Sequence, residues 1–219
     1  KDTVSANYET KASYAVTVTA TDSGGLTASQ NYTVEVNVAP TEISLDNDSV
    51  AENYIGGPVG TLTTTDANSN DEFTYTLSGT DAASFEVVEG ALRVKSGTWF
   101  DYETKSAYSV IVTATDQGGL SVEKTFTVTV NDINEAPTAI ALSATAINEN
   151  AAGAVVGTLT TTDEDVGDSH TYTLSGADAD SFEVVSGQLK LKSSVSANYE
   201  TKSSYAVTVT ATDSGGLAT

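Results

Sequence analysis

The chain repeats itself at a fixed interval, and that interval limits what it can fold into. Tyr102-Glu103-Thr104-Lys105-Ser106 returns as Tyr199-Glu200-Thr201-Lys202-Ser203. Thr74 to Gly79 returns as Thr171 to Gly176, and Ala136-Pro137-Thr138 repeats Ala39-Pro40-Thr41. All three offsets are 97 residues. A third copy of one block, Asn7-Tyr8-Glu9-Thr10-Lys11, stands 94 residues before Asp101-Tyr102-Glu103. A period near 97 is too long for a solenoid unit and matches a seven-stranded sandwich of about 100 residues. The chain therefore divides into a partial repeat (1–39), a complete one (40–136) and one lacking its last strand (137–219).

Each repeat reads as β-structure. Thr, Val, Ala, Tyr and Gly dominate, in long polar/apolar alternations that suit strands. The pattern predicts strands at 59–64, 73–77, 85–88, 91–95, 108–115 and 121–130, and no substantial helix. Asp116-Gln117-Gly118-Gly119 turns the last two into an antiparallel hairpin, with Phe126, Val128 and Val130 on one face. The expected class is all-β: tandem Ig-like, Greek-key β-sandwiches.

Charge enters next. Nine Lys+Arg against 30 Asp+Glu give a net charge of −21. With so few basic residues, nucleic acid is excluded as a partner. Zero Cys and one His remove the usual ligands of zinc and iron–sulfur centres, and disulfides cannot hold the fold. No apolar run approaches the roughly 20 residues that span a bilayer. Lys1 to Thr10 show no secretory pattern, so a targeting signal is expected outside this sequence. Hydrophobic content of 39% is enough for a core, which argues against acidic disorder.

The up-and-down path of a sandwich gathers these acids. Asp101 and Glu103 precede one strand of the 108–130 hairpin, and Asp132 and Glu135 follow the other, so all four lie at one pole. The path also brings Glu52 to this pole. The next repeat begins at Pro137, and Asp163-Glu164-Asp165 and Asp213 lie at its facing pole. Eight carboxylates (Glu52, Asp101, Glu103, Asp132, Glu135, Asp163, Asp165, Asp213) are thus expected at one joint, with Asn134 adding an amide carbonyl. Such a set is tolerable around a hard cation. Ca2+ accepts 6–8 oxygen ligands in forgiving geometry, whereas Mg2+ keeps its waters and softer metals lack ligands here.

These motifs, in this order, resemble the cadherin family: Ala51-Glu52-Asn53, Asp101-Tyr102-Glu103, Asp132-Ile133-Asn134-Glu135-Ala136-Pro137, Asp163-Glu164-Asp165 and Thr212-Asp213-Ser214-Gly215-Gly216. The resemblance implies cadherin-like sandwiches with about three Ca2+ ions per joint, stiffening a rod. One departure is the lack of a further Asn between Glu135 and Ala136. The absence of Cys and the linker's form look more like bacterial cadherin-like repeats of large surface adhesins than animal cell–cell cadherins.

The first joint differs. Asp22 to Pro40 is three residues shorter than Asp116 to Pro137, and Asn37-Val38-Ala39-Pro40 carries no linker carboxylate. Asn7 stands for Asp101 and Asn68 for Asp165, while Glu9, Asp66 and Asp116 remain. This joint is expected to bind Ca2+ weakly or not at all and to be more flexible.

The remaining candidates read as ordinary. Asp48, Asp81, Glu86, Asp178 and Glu183 are expected on the surface, His170 as a strand residue in the place of Phe73, and Trp99 and Phe100 in the core. With no Cys nucleophile, no Gly-x-Ser-x-Gly and no phosphate loop, no catalytic residue is assigned. The expected function is a calcium-binding rod of an extracellular, membrane-associated adhesin. The alternative is a polysaccharide-binding module with Trp99 as stacking platform. Residues 1–26 match 192–217 at 23 positions, so the segment after Leu26 has the sequence that would complete the last repeat. Strand exchange between chains is therefore expected.

Overall fold

A computed structural model describes residues 5–219; the first four residues of the 1–39 segment lie outside the described residues. The chain forms two compact units, Lys1–Asn131 and Asp132–Thr219.

The first unit opens with a hairpin, β1 (Ser13–Thr21) and β2 (Thr27–Glu35), paired from Ser13↔Glu35 to Thr21↔Thr27. Its side chains are exposed on both faces apart from the half-buried Tyr14. A full sandwich follows: β3 (Glu42–Leu45), β4 (Ser49–Ala51), β5 (Pro58–Thr65), β6 (Thr74–Ser78), β7 (Phe85–Val88), β8 (Ala91–Val94), β9 (Ala107–Thr115) and β10 (Ser121–Asn131). One sheet runs β3-β5-β8-β7 and the other β4-β10-β9-β6. The second unit holds β11 (Ala139–Leu142), β12 (Val155–Thr162), β13 (Thr171–Ser175), β14 (Phe182–Val185), β15 (Gln188–Leu191) and β16 (Thr208–Thr212). Its sheets are β11-β12-β15-β14 and β13-β16. The only helical turns among the described residues are two three-residue 3-10 turns, Ala82–Ser84 and Ala179–Ser181. The fold is all-β, as the alternation predicts.

The expected strands appear within a residue or two of their predicted ends. The missed feature is the entry strand, split between sheets: β3 pairs antiparallel with β5, while β4 pairs parallel with β10. Neither half exceeds four residues, too short for alternation to register. The complete sandwich closes over Ile43, Leu92, Phe100, Val110, Val112, Val128 and Val130, all fully buried. Phe100 stacks on Tyr108 with ring centroids 4.1 Å apart.

The expected core pair Trp99-Phe100 splits. Phe100 is buried, but Trp99 is 61% exposed. The residues are consecutive in an extended segment, so when one faces the core its neighbour faces water. The surface reading of Asp81 and Asp178 is also overturned. Asp81 binds Lys105 Nζ at 2.5 Å and accepts the Ser109 backbone N–H at 2.8 Å, and Asp178 repeats both contacts with Lys202 and Ala206. Both carboxyls sit below the usual range: the lysine hydrogen bond acts first, then the backbone donor. Each Asp fastens the 3-10 turn to the strand behind it, which a reading by charge alone does not reveal.

Candidate functional site

The Asp-x-Gly-Gly turns show how the sequence builds an acidic pole. Asp116 Oδ1 accepts the Leu120 N–H at 2.8 Å, closing the β9–β10 turn, and Asp213 Oδ1 does the same for Leu217 at 2.8 Å. The second oxygen is thereby turned toward the linker that enters the repeat. Asn37 donates its amide to Asp116 Oδ2 at 2.9 Å, and Asn134 donates to Asp213 Oδ2 at 3.0 Å. Both aspartates are 6% exposed. Burial pushes their pKa up, but the Asn amide and the backbone N–H groups of the turn outweigh it and leave both carboxyls lowered. The glycines are required twice over. A Cβ on Gly118 would lie 2.1 Å from Asn37 Nδ2, and one on Gly215 2.4 Å from the Asn134 side chain. Gly119 and Gly216 have φ of 88° and 92°, where side chains are strained.

The predicted ligands fall into two groups, one per unit. In the first unit, Glu52, Asp101 and Glu103 each present an oxygen within 4.8 Å of the others. Glu52, 3% exposed, accepts the Tyr102 backbone N–H at 2.9 Å. Asp101 accepts the Thr104 hydroxyl at 2.7 Å and its N–H at 2.8 Å. Those two bonds, the hydroxyl first, hold the Asp101 carboxyl below the usual range. In the second unit, Asp163 and Asp213 come within 4.8 Å of each other and of Asp168. Asp165 accepts the Glu135 backbone N–H at 2.9 Å, so the linker is tied to the Asp-Glu-Asp loop. Asp132 is exposed at the start of this unit.

Sequence reasoning missed four acids. Asp168 and its copy Asp71 complete the two triads Asp163/Asp168/Asp213 and Asp66/Asp71/Asp116. Their signal was the recurrence of an Asp at the 97-residue interval, five residues after Asp66 and after Asp163. Glu35, the last residue of β2, is the third, while Asn37-Val38-Ala39-Pro40 itself carries no carboxylate. Counted back from Pro40, Glu35 occupies the place that Asp132 holds before Pro137. The Asp71 carboxyl is raised first by burial, then by the charges of Asp66, Asp116 and Glu35. Glu149, the copy of Glu52, is the fourth: it accepts the Tyr199 N–H at 3.2 Å. His170, expected within a strand, lies just before β13 and is paired with an acid of the group. Its Nε2–H donates to Asp163 Oδ2 at 2.7 Å, because an ionised carboxylate can only accept.

The chemistry of these groups suits one class of ligand. All the donors apart from His170 are oxygens, and Asp66 Oδ2 and Asp71 Oδ2 are buried with no hydrogen-bond partner. Buried carboxylate oxygens in mutual repulsion are stabilised by a hard divalent cation. The residues therefore fit an oxygen-liganded ion and offer nothing to a thiol-seeking metal.

Comparison with known proteins places the fold in a family. A family model described as the cadherin domain matches residues 47–131 and 143–219. Human Protocadherin Fat 1 is 33% identical over 137 residues, which are 58% of this chain and 3% of that protein. Protocadherin-18 of Bos taurus is 31% identical over 192 residues, 77% of this chain and 17% of that protein. The chain thus spans a small part of these relatives. A crystal structure of human Protocadherin-24 EC1-2 superposes with a TM-score of 0.64 at 26% identity, covering 83% of this chain and 90% of that one. A PcdhgB3 EC1-4 structure gives a TM-score of 0.66 at 25% identity, covering 99% and 57%. The two named relatives are mammalian, so the narrower expectation of a bacterial surface adhesin is not supported. The broader resemblance holds: with the model covering well over half of its residues, the chain belongs to the cadherin domain family.

Proposed function

We propose that the chain is a calcium-stiffened segment of an extracellular adhesion rod. It is no enzyme, and its place is outside the cell or at the cell surface, as for other extracellular cadherin domains. No helix among the described residues is long and apolar enough to cross a membrane. We parse the chain as the C-terminal part of one repeat (1–39), a complete repeat (40–136) and a third (137–219). Glu52, Asp101 and Glu103 of the middle repeat, Asp132, Asn134 and Glu135 of the linker, and Asp163, Asp165 and Asp213 of the next repeat form the ligand set, joined by Asp168. Calcium supplies positive charge that offsets the repulsion of these carboxylates. The residues do the rest. The Gly-Gly turns aim Asp213 at the linker, the Tyr102 N–H orients Glu52, and Thr104 keeps Asp101 ionised. Because ligands come from both repeats, the ion favours only arrangements that bring them together.

The observation that carries this reading is the fastening of the linker to an acidic nest: Asn134 on Asp213 and Glu135 N–H on Asp165, beside Asp163 and Asp168. Calcium titration followed by thermal melting and small-angle scattering tests it. Calcium at 100 times its Kd adds about 2.7 kcal/mol per site, so the melting temperature rises and chelation changes the maximum dimension. Unchanged melting and superimposable scattering profiles would remove the mechanism.

Contact with other chains belongs to the same proposal, through strand exchange in which β2 of one chain lies along β16 of another. Sedimentation showing a monomer at every concentration would exclude it. A polysaccharide-binding reading draws on the exposure of Trp99.

A further inference from the structure

The two linkers are built on one plan, and the side chains at 68 and 38 separate them. In each, the linker Asn donates to the turn Asp, Asn37 to Asp116 and Asn134 to Asp213. In each, the next backbone N–H donates to a loop side chain: Val38 to Asn68 Oδ1 at 3.0 Å, and Glu135 to Asp165 Oδ2 at 2.9 Å. Asp165 is a carboxylate and can only accept. Asn68 also donates, from Nδ2 to the Val36 carbonyl at 3.1 Å. It therefore holds the chain on both sides of Asn37, one bond before it and one after. Val36 is fixed from its other side as well, since its N–H donates to the Ala12 carbonyl at 2.8 Å. Beside Asn68, the Ala67 carbonyl accepts the Tyr8 hydroxyl at 3.0 Å, and Asp66 Oδ1 accepts the Asn68 N–H at 2.9 Å, so the loop is itself held in place.

We infer that Asn68 is a positioning residue that fixes the first linker through its own amide, whether or not the Asp66/Asp71/Asp116 group beside it takes a cation. The amide supplies two neutral hydrogen bonds where the second linker presents acidic side chains on both Asp165 and Glu135. The change at 68 and the change at 38 act together. Val38 removes the carboxylate that Glu135 carries, and Asn68 removes the negative charge of Asp165 while adding a donor. Against the sequence-based expectation of a flexible joint, this linker is expected to stay fixed in calcium-free conditions. The inference does not depend on whether the Asp165 linker takes calcium, because it concerns hydrogen bonds between Asn68 and the first linker alone.

Amide hydrogen exchange on the whole 219-residue chain, resolved by residue and run in EDTA and in calcium, tests this. The Val38 amide is expected to be protected in EDTA, with a rate unchanged by calcium. Asn68→Ala should raise its exchange about tenfold or more while Val110 and Val112, buried in the core, keep their rates. Asn68→Asp, close in shape, keeps the acceptor and loses the donor, and keeps the test usable if the alanine variant misfolds. It should also exchange faster at Val38 in EDTA. Wild-type Val38 protection that collapses on chelation would overturn the inference. So would Val38 rates in both variants equal to the wild type.

Discussion

Glu52 and Glu149 lie 97 residues apart, at the same point of two sandwiches built from nearly the same sequence. Glu52 is 3% exposed and Glu149 is on the surface. The same contrast runs through the apolar positions beside them. Val50, Val110 and Val112 are buried, while their copies Ile147, Val207 and Val209 are half-buried. In the complete sandwich β10 pairs with both β9 and β4, and the Asn131 carbonyl accepts the Glu52 N–H at 2.9 Å. In the second unit β16 pairs with β13 on one edge, and on the other Thr212 bridges Ala218 and Ala211 exchanges backbone hydrogen bonds with Thr219. The repeat thus specifies where strands form, and in the first unit the β4–β10 pairing lies beside the buried Glu52.

The largest test of that comparison is a matched pair of core truncations. Phe85 and its copy Phe182 are 4% and 6% exposed. Phe85 packs on both Phe100 and Tyr108, with centroids 5.8 and 6.3 Å away, whereas Phe182 meets Tyr205 alone, at 5.8 Å. Loss of a buried Phe costs about 3–5 kcal/mol. Phe85→Ala should fall at the upper end of that range and Phe182→Ala at or below the lower end. Urea unfolding measures both. Fluorescence of Trp99, the chain's single Trp, reports the first unit, and the His170 ring protons report the second. Equal costs would mean that Phe100, which Ala197 replaces in the last repeat, adds nothing to the packing of Phe85.

The next effect concerns calcium. Glu52→Gln removes charge from a buried group held by the Tyr102 N–H, and Glu149→Gln removes it from an exposed one. If the proposed ligand set is right, calorimetric titration should show calcium affinity falling about tenfold or more for the first, with the second close to wild type. A loss of equal size for both would show that burial does not select the ligand.

A smaller effect should be the same in both sandwiches. Asp81 and Asp178 have lowered pKa values, from Lys105 and Lys202 first and from backbone donors second. A carboxyl whose folded pKa lies below its unfolded value of 3.8 stabilises the fold above that value. Its contribution is lost as pH falls below 3.8 toward the folded pKa. Asp81→Asn should therefore lower the urea midpoint at neutral pH, and the gap from wild type should narrow in acid. Asp178→Asn should behave alike, since the contact is formed without β10. A gap that widened in acid would contradict the sign.

Much of this was legible in the sequence, for a physical reason. Period-2 alternation and Gly-Gly turns are local signals, and they located β5 to β10 closely. The fixed order of acidic motifs also identified Glu52, Asp101 and Glu103 as neighbours before any geometry was known. What stayed hidden depends on facing and on hydrogen-bond direction. Asp81 looked like a surface acid because its partners, Lys105 and Ser109, are 24 and 28 residues away. Asn68 looked like a lost ligand because a sequence shows a missing charge more readily than a gained donor. Glu35 was overlooked because the shorter hairpin moved it out of step with the 97-residue interval, and only counting from Pro40 restores its place.

The smallest expected effect on stability is at Trp99, which separates the rod reading from the polysaccharide reading. Its neighbour Phe100 fills the core, and the last repeat has Ser196 and Ala197 at these two positions. Trp99 is 61% exposed, so Trp99→Ala should change the unfolding free energy by less than about 0.5 kcal/mol. Because that variant removes the fluorescent reporter, circular dichroism must follow the unfolding. An exposed indole is worth keeping if its flat face stacks on a sugar ring. Pull-down on insoluble polysaccharides then decides. Retention by wild type that is lost in Trp99→Ala, with stability intact, would give the closed sandwich a second role that the last repeat lacks. No retention of either protein leaves the adhesion rod as the reading of both sandwiches.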